Sequence, residues 1–242
     1  MVSDIDNVLT EEFRSRYLAL KESLAEVCTG CGRDPEEVTV IGVSKVFPVE
    51  YAKAAFKAGI KDLGENRVQE LVPKTEAFLE DGLEANWHLI GTLQKNKVKY
   101  IIGKTHLIHS VDSIELAEEI AKRSICNNVI SDILLQVNVS GEESKHGFSV
   151  DAVRDAVPQL AAVEGIRVKG LMTMAPIQSV DGDAKSVFEN TKRLYDEINP
   201  GDWDVLSMGM SGDWRYAVMC GATHIRIGTA LFGDRAAYAA KA

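Results

Sequence analysis

A chain in which eight short β-branched runs are interleaved with amphipathic stretches has few folds open to it. These 242 residues form such a chain. The strand signals are VTVIGVSK (38–45), KDLGEN (61–66), NWHLIGT (86–92), THLIHSV (105–111), DILLQVNVS (132–140), RVKGLMTMA (167–175), DVLSMG (204–209) and HIRIGTALFG (224–233). Helical spacing fills 49–58, 67–81, 113–124, 150–163, 183–199 and 213–221, with Pro73 expected to disturb the second of these. Strands that alternate with helices or helical turns imply a parallel sheet with right-handed crossovers. Eight such units in 242 residues favour a closed (β/α)8 barrel of the TIM type over an open sheet. An additional N-terminal helix, 10–29, lines up Phe13, Tyr17, Leu20, Leu24 and Val27. It is expected to cap the barrel's base or to pack on its side.

No repeat, low-complexity tract or Pro/Gly-rich linker interrupts the chain, so one domain spanning 1–242 is expected. Its 27 basic and 36 acidic residues give a net charge of −9, a poor match to a phosphate polyanion. Nucleic acid is therefore not an expected partner. No apolar run reaches the roughly 18 residues of a membrane helix. The acidic start MVSDIDNVL carries no signal pattern and the end AAYAAKA no address, so the cytoplasm is the expected location. Cys28, Cys31, Cys126 and Cys220 do not make a disulfide framework. Cys28 and Cys31 form a lone CxxC, and the five histidines show neither HxH nor HExxH spacing, so no metal is expected.

Active sites of such barrels lie at the C-terminal ends of the strands. The polar residues there are Ser44, Lys45, Glu65, Asn66, His88, Asn138, Thr173, Ser207, Ser211, Arg226, Gly228 and Thr229. Lys45 ends an apolar strand on the same face as Ile41 and Val43. A partly dry setting there favours the neutral amine, the form that attacks an aldehyde. The plainer alternative is a solvated lysine just past a strand end. The loops Ser207-Met208-Gly209-Met210-Ser211-Gly212 and Gly228-Thr229 follow strands seven and eight, where such barrels commonly bind phosphate. Ser211 alternatively serves as a helix N-cap. Arg226 faces away from Ile225 and Ile227, into the barrel, where a charge that cannot be shed needs a partner. That partner is either a carboxylate such as Glu65 or a ligand heteroatom. Two small basic groups, Gln94/Lys95/Lys97 and Lys145/His146, read as solvated surface or as anion contacts near the mouth.

Several segments taken together resemble the YggS/PROSC-type pyridoxal phosphate homeostasis proteins, relatives of the alanine racemase N-terminal barrel. They are VSK (43–45), GEN-VQE (64–66, 68–70), WHLIGTLQKNK (87–97), SVDS (110–113), QVNVSGEESKHG (136–147), GLMTM (170–174), SMGMSGD (207–213) and IRIGTALFG (225–233). The resemblance implies a fold-type III barrel without the racemase's C-terminal β-domain, and pyridoxal 5′-phosphate as cofactor. It implies a Schiff base on Lys45, Arg226 at the pyridine nitrogen, and phosphate held by Ser211, Gly228 and Thr229 with Ser207 nearby. It places Asn66 by the ring substituents, and His88 and Met174 around the ring.

An arginine at the ring nitrogen cannot supply a proton at neutral pH, which weakens the ring as an electron sink. Two-base racemisation also needs an acid/base group on each face of the substrate. In alanine racemase the second is a tyrosine from the β-domain, and this sequence ends about ten residues past strand eight. The expectation is a protein that sequesters pyridoxal phosphate and hands it on to pyridoxal phosphate-dependent apoenzymes. It is expected to be a monomer with little or no turnover and no catalytic residues. The alternatives are a pyridoxal phosphate-dependent amino-acid racemase and a Schiff-base aldolase that uses Lys45 without cofactor.

Overall fold

The computed structural model describes residues 2–142, 146–176 and 181–234. Eight parallel strands close into a barrel in sequence order. They are β1 (Thr39–Val43), β2 (Asp62–Glu65), β3 (Asn86–Leu89), β4 (Leu107–Val111), β5 (Ser131–Gln136), β6 (Ile166–Met172), β7 (Val205–Met210) and β8 (His224–Ile227). The helices are α1 (Val2–Gly30), α2 (Val49–Lys57), α3 (Val68–Glu80), α4 (Ile114–Cys126), α5 (Val150–Leu160), α6 (Asp181–Ile198), α7 (Trp214–Met219) and α8 (Thr229–Phe232). Crossover β3–β4 uses a 3-10 helix, Lys95–Tyr100, in the segment that carries the first basic group.

The elements form for local reasons. β1 is β-branched and apolar, Thr-Val-Ile-Gly-Val, and buried from Val40 onward. Ser113 and Ser149 cap α4 and α5 by accepting the N–H groups of Leu116 and Ala152. Pro73 sits inside α3 without ending it. The strands stop earlier than their apolar runs suggest. In particular, 224–233 is not one strand: β8 ends at Ile227, and Ala-Leu-Phe continues as helix after Gly228. A short apolar run does not distinguish strand from helix by period alone.

Alternation sorts the side chains into two layers. Leu63, Leu89, Ile108, Ile133, Leu171, Leu206 and Ile225 face the helices and join the main core. Inside the barrel, Leu107, Leu134, Met172 and Val205 form a separate apolar group. Register places Ile41 beside both Asp62 and Arg226, and Gly64 beside Val43 and His88, so these residues share the inner face.

The N-terminal helix takes the second of its two expected positions, the barrel's side. Phe13 packs edge-on against Phe232 of α8, with ring centroids 4.9 Å apart, and against Tyr51 of α2 at 6.3 Å. Phe47 stacks on Tyr51 at 5.3 Å and completes the cluster over the seam where β8 meets β1. Arg16 of α1 donates to the Leu231 carbonyl at 3.0 Å. Phe13 is fully buried and Leu79 is exposed. Phe13→Ala should therefore cost about 3–5 kcal/mol of stability, while Leu79→Ala should stay within about 0.5 kcal/mol. Denaturant midpoints measure both, and equal midpoints would show that α1 is not part of the cooperative core.

Candidate functional site

At the C-terminal ends of the strands lies a cavity of about 300 Å³. Val43, Lys45, Asn66, Ile90, Met174, Met210, Ser211, Gly212, Arg226, Gly228 and Thr229 line it. That volume is at the lower end for small-ligand sites, about 300–1,000 Å³. A second, polar cleft lined by Arg67, Glu70, Thr92, Gln94 and Lys97 adjoins it and shares Asn66.

Each contributor is placed by the backbone around it. Lys45 follows β1 in a tight turn and is half-buried. Asn66 follows β2, and the chain after β3 passes so close that a methyl added at Gly91 would lie 2.4 Å from the Asn66 carbonyl oxygen. Gly209 has φ +92, and a Cβ there would lie 2.6 Å from that of Ala217, so β7 leaves the barrel in a path that glycine permits. The Asp213 carboxylate accepts the Met210 N–H at 2.6 Å and closes the loop. Ser211 Oγ accepts the Gly228 N–H at 3.2 Å, which joins the loops after β7 and β8. Accepting there leaves the Ser211 hydroxyl proton for a ligand. A methyl at Gly212 would meet nothing, so backbone lies bare at this wall. Hydroxyls and bare backbone suit an anion.

Arg226 forms the floor and is only 4% exposed. One terminal nitrogen donates to Ser207 Oγ at 2.7 Å, the other to the Thr173 carbonyl at 2.9 Å. Below it, Ser207 Oγ lies 2.9 Å from His109 Nδ1, His109 Nε2 lies 3.0 Å from His88 Nδ1, and His88 Nε2 lies 3.1 Å from Asp62 Oδ1. An arginine only donates, so Ser207 Oγ accepts from it, and because both imidazoles are neutral and Asp62 only accepts, the Ser207 hydroxyl donates to His109 Nδ1. The same direction then runs through both imidazoles to the Asp62 carboxylate. Burial lowers the affinity of both histidines for a second proton. His109 lies well below the ordinary value, helped by the nearby His88 and Arg226, whereas hydrogen bonding to Asp62 partly offsets the effect at His88. Burial pushes the Asp62 carboxyl up, but its bonds to His88 and Asn86 outweigh this and leave it lowered. Burial draws Arg226 down to about 10, opposed by Asp213, so it stays charged at neutral pH.

Lys45, Asn66, Met174, Ser211, Arg226, Gly228 and Thr229 thus meet in one cavity. Two expected positions lie elsewhere. His88 and Ser207 point to the barrel axis beneath Arg226, fully buried, because alternation turns them inward one level below the strand ends. Glu65 is not the partner of Arg226: it faces outward and pairs with Lys74 of α3. Ser211 does not cap α7, whose N-cap is Asp213. The cysteines are free, and Lys145 lies outside the described residues. The sequence reading missed Asp62, His109, Glu70 and Lys74. His109 was visible as a polar residue two positions from Leu107 in an apolar strand, whereas nothing local marked Lys74 as buried.

Residues 38–236 match the family model described as alanine racemase, N-terminal domain. The chain is 42% identical over 224 residues to the pyridoxal phosphate homeostasis protein of Aquifex aeolicus, covering 91% of this chain and 97% of that one. It is similar to the structure of PipY of Synechococcus elongatus PCC7942 with PLP bound, at 33% identity and a TM-score of 0.80, covering 91% and 100%. Alanine racemase of Clostridium difficile 630 shares the fold, at 16% identity and a TM-score of 0.71, over 93% of this chain and 57% of that one.

Neutral buried histidines have a consequence for acid stability. Below the ordinary histidine value of about 6.5 the unfolded chain takes up protons that His88 and His109 refuse in the folded state. The unfolded state then binds more protons, so unfolding free energy falls as pH falls, by up to about 1.4 kcal/mol per pH unit for each such group. Urea unfolding between about pH 7 and pH 5 should show this slope. His109→Gln should reduce it by about one proton's worth, and an unchanged slope would mean that His109 is charged in the folded protein.

Proposed function

Because the chain belongs to the pyridoxal phosphate homeostasis family, we propose that it holds pyridoxal 5′-phosphate as a Schiff base on Lys45 and acts to sequester and hand on that cofactor. The observation that carries this reading is the meeting of Lys45, Arg226 and the Ser211–Gly228–Thr229 loops in one cavity. The donor set fits the group. It offers an amine for an aldehyde, a permanent donor for a pyridine nitrogen, and hydroxyls with bare backbone for a phosphate. Val43, Ile90, Met174 and Met210 offer apolar surface to a ring.

Pyridoxal 5′-phosphate supplies an aldehyde, whose oxygen leaves as water when an amine takes its place, and a ring that can draw electrons from a bound amino acid. Lys45 contributes that amine, which must be neutral to attack. Arg226, charged and tied to Ser207 and Thr173, would donate to the ring nitrogen and keep its own proton. Ser211 and Thr229 would hold the phosphate with the backbone of Gly228, and Asn66, which lines the same cavity, would lie beside the ring substituents.

Little or no turnover is part of the proposal. Among the described residues that line the cavity, the ionisable ones are Lys45 and Arg226, and a guanidinium is no base at neutral pH. Racemisation through both faces of a substrate requires a second base. We further propose a cytoplasmic monomer that passes the cofactor to pyridoxal phosphate-dependent apoenzymes. Among the described residues no helix is long and apolar enough to cross a membrane.

Purified protein with added pyridoxal 5′-phosphate should show a visible absorption band that borohydride bleaches. Lys45→Ala should lose the band yet keep the wild-type circular dichroism. Ser211→Ala, which removes one hydroxyl from an anion, should weaken binding about 10- to 100-fold. Rapid, Lys45-dependent exchange between L- and D-alanine would favour the racemase instead.

A further inference from the structure

The turn that carries Lys45 runs from Ser44 to Phe47 and is closed by the Phe47 N–H, which donates to the Ser44 carbonyl at 3.1 Å. Within it Val46 has φ +75. A β-branched residue in the left-handed region is sterically costly, because its branched carbon crowds its own backbone. Val46 is 56% exposed, so packing of its side chain does not explain the conformation.

Hydrogen bonds from α3 do. The Glu70 carboxylate accepts the Val46 N–H at 2.6 Å. One helical turn on, Lys74 Nζ donates to the Ser44 carbonyl at 2.9 Å. Positions four apart share a helix face, so one face of α3 grips the backbone on both sides of Lys45. Lys74 is 5% exposed and is held in turn by Glu65, whose Oε1 also accepts from the Ser44 hydroxyl. A buried ion pair is a weak source of stability because both charges leave water. Its use here is to fix a backbone group in place.

We propose that Glu70 and Lys74 are positioning residues that clamp the strained turn and aim the Lys45 amine into the cavity. This rests on the reading of Lys45 as the cofactor-bearing amine. Without Glu70, Val46 relaxes to an extended conformation and the amine loses its fixed direction. Glycine enters the left-handed region without steric cost, so at position 46 it makes the clamp dispensable.

The experiment compares wild type, Glu70→Ala, Val46→Gly and the double variant. Two readouts are taken: hydrogen exchange of the residue 46 amide in protein without added cofactor, and affinity for pyridoxal 5′-phosphate from the visible band. Expected are slow exchange in the wild type, fast exchange in Glu70→Ala, and about tenfold weaker binding in Glu70→Ala. Val46→Gly should bind within about twofold of wild type. The double variant should recover to within about threefold, because a glycine in place of Val46 restores the turn that Glu70 no longer holds. Wild-type affinity in Glu70→Ala overturns the proposal. So does a double variant no better than Glu70→Ala, since Glu70 would then act on the ligand and not on the turn. A rapidly exchanging Val46 amide in the wild type overturns the clamp whatever the ligand does. A protected amide with no visible band overturns the Lys45 reading and the purpose assigned to the clamp.

Discussion

A guanidinium sealed inside a barrel keeps its proton at neutral pH, so protein groups must do the work of water around it. Arg226 meets this requirement with one carbonyl and one hydroxyl, and the hydroxyl starts a one-way series of hydrogen bonds that ends on the Asp62 carboxylate. A positive charge at one end and a negative charge at the other fix the proton order between them, and both imidazoles can stay neutral. The barrel's interior is therefore divided. One sector carries this polar string, and another packs Leu107, Leu134, Met172 and Val205. A group of fixed charge at the floor of the cavity limits what the cavity can bind, because it offers donors and no base.

Outside the strands a second charged group serves a different end. Glu65 and Lys74 lie between barrel and helix, where paired charges add little to stability. Their bonds to Ser44, with that of Glu70 to Val46, concentrate on the four residues that present Lys45. Strain of about 1–3 kcal/mol at a non-glycine residue with positive φ persists only where its surroundings enforce it. The fold tolerates that cost next to the amine that the proposed chemistry requires.

Much of this was legible from the chain. Short β-branched and apolar runs located every strand, and strand–helix alternation gave the closed barrel. Placing polar residues at strand ends found Lys45, Asn66, Ser211, Arg226, Gly228 and Thr229. Depth was harder to read. Alternation tells inside from outside but not how far along the axis a side chain lies, so His88 and Ser207 were expected one level too high. Lys74 was hidden for another reason. Four residues after Glu70 on a helix, it reads as half of a surface ion pair. Only the tertiary fold brings the Ser44 carbonyl and Glu65 within its reach.

The pairing of β1 with β8 carries a kinetic consequence. Lys45 stands at the end of the first stave and the Gly228–Thr229 loop at the end of the last, so they are far apart in sequence. Long-range contacts of this kind form late. Until β8 has paired with β1, Lys45 has no Gly228–Thr229 loop beside it. On the proposed reading, the cavity that would bind the cofactor is therefore incomplete until the last strand closes against the first.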